Sequence, residues 1–329
     1  MRVALFSWLP YSAKVPVFME TARQHTLQGG ITEFFPKPQP TENCMHNQAY
    51  DRITDRITAL LEQGTVPWQR PWKTQSAWPR NYLSQKRYRG INVFLLHAMS
   101  YESPLWLTFR QASQLGGTIR KGEKACPVVF WKQLKVADKE SGEDRKIPLL
   151  RLYHVFNAAQ CDGLKDAPPV AEETATIGPA GVVAGMPQPP VIKHGMARAY
   201  YSPHDDCVGM PSRERFHTED GYHATLFHEL VHATGHEKQL KRSTLAENND
   251  FGSDPYCKEE LIAEMGAAFL CGQAGIGERT IDSSAAYIKG WLARLQEDKT
   301  LIVQAAAQAQ KAADFILGNH APQTTEATP

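Results

Sequence analysis

The run from Ala167 to Pro190, APPVAEETATIGPAGVVAGMPQPP, holds six prolines and three glycines, and no charged residue follows Glu173 within it. Proline withholds an amide from any helix interior or strand ladder, and glycine is the residue most costly to order. Such a stretch is expected to build no core, so residues 166–190 are assigned as a linker. That divides a chain of 329 residues, 42% of them hydrophobic, into two parts, each long enough to bury a core of its own.

The two parts differ in charge. Residues 45–165 carry 19 Lys and Arg against 10 Asp and Glu, residues 166–329 carry 13 against 22, and the net charge of +1 conceals the split. Opposite signs imply different tasks. Residues 1–44 lack sustained periodicity and end in FFPKPQPTENC, so they are assigned as an extension outside the folded protein, with Met45 a candidate start. Residues 319–329 are polar and are assigned as a disordered tail. No segment approaches the roughly 20 continuous apolar residues of a membrane-spanning helix. Pro10 interrupts the short apolar run at the N-terminus, and no small-residue cleavage site follows it. The six cysteines are scattered without a Cys-x-x-Cys pair, the usage of free thiols. A cytoplasmic protein without membrane contact is expected.

The first part opens on AYDRITDRITALLEQG, where Ile53, Ile57, Leu60 and Leu61 fall at helical spacing and Gly64 supplies a stop. Pro127–Trp131 and Leu149–Phe156 are its clearest strands. Lys86, Arg87 and Arg89 flank Tyr88; Arg120, Lys121 and Lys124 surround Gly122; Trp68, Trp72 and Trp78 lie in VPWQRPWKTQSAWP. Cations track a phosphate backbone and aromatic rings stack on unpaired bases, so these residues point to single-stranded nucleic acid. In the second part, Ala197–Tyr201 and Cys207–Met210 form a plausible hairpin. Helices follow from an N-cap at Thr218 to a stop at Gly235, from about Pro255 to Gly272, from Ser283 to Glu297 and from Leu301 to Leu317. The expected fold class is α+β, with a small basic α+β domain over 45–165 and a mainly helical domain with a small edge sheet over 191–318.

His228-Glu229-Leu230-Val231-His232 lies on the helix capped by Thr218. Four residues turn an α-helix through about 400°, so the two imidazoles share a face about 6 Å apart along the axis and can hold one metal ion. Glu229 beside them can take a proton from water as general base. Catalytic zinc needs a third protein ligand and an open position. Glu264 is favoured, because in LIAEMGAAFL a buried carboxylate without a partner is expensive and metal would relieve the cost. Glu260, one turn earlier, and His236, beyond Gly235, are the alternatives. Gly266, Ala267 and Ala268 would let this helix approach the first closely. Lys238 stands where a metzincin would place its third histidine, which disfavours that family. Tyr256 and Tyr287 offer hydroxyls, but their spacing selects neither.

Two histidines on one helix and a glutamate on the next resemble the gluzincin type of zincin-like metallopeptidase. The resemblance implies Zn2+, with Mn2+ as the alternative ion, and a substrate-holding edge strand, which would be Cys207–Met210. The wider layout, DRITDRITALLEQGTVPWQRPW, YRGIN, WLTFRQASQLGGTIRKGEKACPVVFWK and VFNAAQCDGL ahead of GYHATLFHELVHATGH, resembles the ArdC family of antirestriction proteins over residues 45–318, and its first part resembles the N-terminal domain of plasmid primases. That resemblance implies a single-stranded-DNA-binding domain joined to a metallopeptidase-like domain, carried by mobile elements and protecting DNA that enters by conjugation from host restriction. A DNA-dependent metalloprotease that degrades DNA-bound proteins is the alternative. A purely structural metal is disfavoured, since it would need no Glu229.

Overall fold

A computed structural model of the chain describes residues 42–69, 78–137, 144–164, 177–245, 254–276 and 285–319. Helix α1 (Glu42–Glu62) starts three residues before Met45; the remainder of the expected extension, and the tail from His320, lie outside the described residues. Ile53, Ile57 and Leu61 of α1 are fully buried on one face, and Gly64 ends the turn at φ +74°, a conformation that favours glycine.

Strand β1 (Arg80–Asn81), helix α2 (Ile91–Ala98), strand β2 (Leu105–Thr108), helix α3 (Phe109–Gln114), strand β3 (Thr118–Ile119), the long hairpin of β4 (Cys126–Ala137) and β5 (Asp144–Asn157), and strand β6 (Cys161–Asp162) complete the first half. The main sheet has the order β1-β2-β5-β4, with β1 and β2 parallel and the other pairs antiparallel; β3 and β6 form a separate ribbon. Asn92 of α2 ties that helix to the sheet, donating to the Val129 carbonyl at 2.7 Å and accepting from its amide at 2.8 Å.

The assigned linker differs from expectation in its second part. Helix α4 (Pro179–Ala184) starts on a proline, and Val182 and Met186 are buried in the main core. Two apolar side chains suffice here, because glycine lets backbones meet: a Cβ on Gly185 would stand 3.3 Å from the Ile316 carbonyl oxygen. Residues 165–176 lie outside the described residues.

Beyond α4, β7 (Val191–His194), β8 (Tyr200–Ser202) and β9 (Cys207–Met210) make a three-stranded sheet, followed by helices α5 (Glu219–Ala233), α6 (Asp254–Ala274), α7 (Ala285–Glu297) and α8 (Leu301–Ile316). The hairpin is present as β8 and β9, but the sheet order is β7-β9-β8. Cys207–Met210 is therefore the central, buried strand, and both of its backbone edges are already paired. It cannot receive a substrate strand as an edge would.

One hydrophobic core runs through both halves. Phe94 of α2 stacks on Phe269 of α6 with centroids 4.7 Å apart, and Trp78 meets the same ring at 6.1 Å. Burying one such ring stabilises by about 2 to 3 kcal/mol. Arg89 pairs with Asp314 across the same junction, so part of the charge split serves the contact between halves. Among the described residues no helix is long and apolar enough to cross a membrane, and Cys126, Cys161, Cys207, Cys257 and Cys271 are free thiols.

Candidate metal centre

Thr218 caps α5, its hydroxyl accepting from the Gly221 amide at 3.0 Å, and Glu219 and Asp220 sit at the positive end of the helix. The helix then carries His228 and His232 on one face, with their Nε2 atoms 3.1 Å apart. Opposite lies the α6 carboxylate of Glu260, one oxygen 3.6 Å from His228 Nε2 and the other 3.7 Å from His232 Nε2. Among the described residues these three are the one group of three His, Cys, Asp or Glu that could hold a metal ion. Their spacing fits the need: bonds of about 2.0 Å in a tetrahedral site put neighbouring ligand atoms about 3.3 Å apart.

Glu264 does not join them. Its Oε2 accepts from Trp68 Nε1 at 2.7 Å and from the Tyr287 hydroxyl. The expectation that metal relieves its burial is corrected by these two donors, one from the basic half and one from α7. Burial pushes its carboxyl up to about 7, against the lowering influence of Tyr287 and Trp68. Glu260, named above as an alternative, lies past the first turn of α6, which starts at Asp254. His236 follows the helix, and its Nδ1 accepts the Lys238 amide.

Small residues bring the two ligand helices together as expected. A Cβ on Gly266 would come within 2.7 Å of the Val231 side chain. Around the ligands lies a buried set that sequence reasoning missed. Glu259 Oε1 is 3.3 Å from His232 Nδ1. A proton on Nδ1 shared with that carboxylate leaves the Nε2 lone pair for the site. Arg242 grips Glu259 at 2.6 and 3.1 Å, and donates to the Thr234 hydroxyl and the Val231 carbonyl, capping the end of α5. Thr244 also donates to Glu259, at 2.5 Å. The signal available in the sequence was a pair of adjacent glutamates on one helix turn, but Arg242 lies outside both helices.

Electrostatics agree with a cation site. Burial opposes a charge on His228, yet Glu260, Glu229 and Glu264 raise it to about 9. Burial likewise opposes ionisation of Glu260, and His228, His232 and Tyr256 reverse this, bringing it to about 2. Burial would also raise Glu259, but His232 and Arg242 hold it well below the usual carboxylate range. Glu229 is buried beside His228 and its charge acts on both His228 and the Tyr256 hydroxyl.

The residues expected to meet nucleic acid divide differently. Trp68 and Tyr88 are buried, each only 3% exposed, which corrects their assignment as stacking platforms. Apolar surroundings claim both rings: Trp68 meets Trp291 edge-on, and Tyr88 packs against Phe130. Arg89 is engaged by Asp314, and Arg120 by Glu123, Asp162 and the Ala159 carbonyl. Lys86, Arg87, Lys121 and Lys124 are exposed. Trp72 lies outside the described residues.

The two halves of the chain match two different family models. Residues 47–156 match the N-terminal domain of anti-restriction factor ArdC, and residues 188–308 match a zincin-like metallopeptidase family. Two DNA primases TraC of Escherichia coli are 35% and 33% identical over 304 and 297 residues, which cover 85% and 84% of this chain. The chain spans only 28% and 20% of their lengths. The uncharacterized protein y4eC of Sinorhizobium fredii is 36% identical, with 92% of its length covered. Crystal structures of the antirestriction protein ArdC from plasmid R388 are similar over more than four fifths of this chain. The metal-free form is 40% identical, with TM-score 0.64 over 82% of this chain and 97% of that one. The Mn(II)-bound form is 39% identical, with TM-score 0.66 over 84% and 99%. With both halves matched in order and nearly the whole of a solved relative covered, the chain belongs to the ArdC family of antirestriction proteins.

Proposed function

We propose that this protein binds single-stranded DNA through its basic half, shields DNA entering a cell on a mobile element from restriction in the cytoplasm, and carries a divalent-metal site of metallopeptidase type. The observation that carries the metal reading is the convergence of His228, His232 and Glu260. Zinc suits this nitrogen and carboxylate set, and manganese, bound by the R388 relative, is the competing ion.

The ion, when bound, supplies Lewis-acid polarisation of a carbonyl and activation of water. Glu229, buried beside His228, would serve as the proton acceptor at that site. Glu259, fixed by Arg242 and Thr244, holds the His232 ring in one tautomer and one orientation. Glu260 is held in turn by Tyr256, whose hydroxyl bonds its carboxylate.

Metal analysis of three purified proteins tests the ligand set. Wild type and Glu264→Ala are expected to retain about one divalent ion per chain, and Glu260→Ala to lose it. Retention in Glu260→Ala with loss in Glu264→Ala would restore the sequence-based choice. The presence of Glu229, which a closed structural site does not need, argues against a purely structural metal; the second reading is a protease that removes proteins from DNA. Glu229→Gln separates the two. Protection in cells that survives this change rests on DNA binding; protection lost while metal and DNA binding persist requires proteolysis.

A further inference from the structure

Four large hydrophobic side chains are exposed among the described residues, and Phe109, 64% exposed, is the one aromatic in that set. Leu83, 47% exposed, leaves the main sheet at the same end, because β1 and β2 run parallel with Asn81 opposite Trp106. Neither position is loose. Thr108 and Gln111 close a capping box around the start of α3. Asn81 Nδ2 donates to Gln111 Oε1 at 3.3 Å, while Asn81 Oδ1 accepts the amides of Leu83 and Ser84. One buried Asn and Gln pair therefore fixes both loops. Arg110 beside Phe109, and Lys86 and Arg87 in the loop that carries Leu83, are exposed cations.

Single exposed apolar residues are ordinary. An exposed aromatic and an exposed aliphatic side chain at one end of the sheet, on loops tied together by Asn81 and Gln111, with cations on both loops, in a half carrying nine excess positive charges, are a more particular combination. It complements a ligand with flat apolar faces strung on an anionic backbone. We propose that Phe109 and Leu83 form the platform on which unpaired bases stack, with Arg110, Lys86 and Arg87 along the phosphates. The inference rests on the single-stranded-DNA reading above, and moves its aromatic contact from Trp68 and Tyr88 to a different end of the sheet. Duplex DNA hides its base faces and gains nothing from such a platform.

The test is fluorescence anisotropy of the full chain with labelled oligo(dT) and with a duplex of the same length, across a salt series. Phe109→Ala is expected to weaken oligo(dT) binding about tenfold or more, with the salt slope unchanged and duplex binding unaffected. Arg110→Ala is expected to lower the salt slope by about one. Phe109→Tyr should restore the affinity; with Leu83→Ser it also decides the matter if Phe109→Ala fails to fold. Wild-type affinity in both Phe109→Ala and Leu83→Ser, or equal losses on duplex and single strand, overturns the platform and leaves the DNA-binding reading standing. A wild-type chain that binds no oligo(dT) even at low salt overturns both. A concentration-dependent dimer in sedimentation that Phe109→Ala abolishes assigns the patch to self-association and overturns the platform.

Discussion

Glu264 sits on α6 with its carboxyl between an indole and a phenol, and both donors use the same oxygen. Its carboxyl, pushed up to about 7 by burial, binds a proton more tightly in the folded chain than in the unfolded one. The sign follows: the stabilisation is complete below the ordinary carboxylate range near 4.5 and is lost as pH rises through about 7. The full span corresponds to about 3 kcal/mol. The melting temperature of the metal-free protein is therefore expected to fall between about pH 5 and pH 8. Glu264→Gln, which still offers an oxygen to both donors, should flatten that profile. Superimposable profiles would show that the carboxyl does not take up the proton on folding. Trp68→Phe keeps a smaller aromatic ring and deletes one donor, and should cost at least about 1.5 to 3 kcal/mol in urea denaturation where the carboxylate is ionised.

Helices α5 and α6 supply the three converging side chains from two backbones, so the site depends on their separation. Gly266→Ala would drive a methyl into Val231 and is expected to cost about 1 to 3 kcal/mol and to weaken metal binding. Adding Val231→Ala should recover both, and recovery of stability without metal affinity would show that helix spacing is not what the metal senses. Arg242→Ala strands the charge of Glu259 in the interior, at about 3 to 5 kcal/mol, and is expected to weaken metal binding about 10- to 100-fold through His232; titration with a metal indicator measures it. These elements also mark where sequence reasoning succeeds and stops. The cap at Thr218, the shared face of His228 and His232, and the small residues of α6 are local facts of spacing, and the structure has them as expected. The choice between Glu260 and Glu264 was not local. It depended on Trp68, 196 residues away, and on Tyr287 of α7, 23 residues away, partners that no helical periodicity encodes. The burial of Trp68 and Tyr88 was hidden for the same reason: composition reads aromatic residues near cations as a binding face, and only tertiary packing, against Trp291 of the other half for Trp68 and against Phe130 of the same half for Tyr88, reveals them as core. Sheet order was equally out of reach, since β7 pairs in parallel with a strand beyond its neighbour.

At the level of the whole molecule, Phe94, Trp78 and Trp68 of the basic half and Phe269 and Trp291 of the helical half belong to one core. The chain is thus expected to unfold in a single transition, with calorimetric and van't Hoff enthalpies in agreement. A fragment of residues 191–318 alone should expose Phe269 and Trp291 and bind a hydrophobic dye. Two separated transitions, or a fragment that folds without binding the dye, would return the halves to the independent status that a flexible linker implies. The hydrogen bond from Trp68 to Glu264 carries a further consequence, for inheritance. Recombination that joined this helical half to a foreign basic half without a donor at that place would leave a buried carboxyl half-satisfied next to the ligand turn. Exchange of either half is therefore expected to preserve folding only where the new partner brings a donor to that carboxyl, so that the two halves behave as one heritable piece.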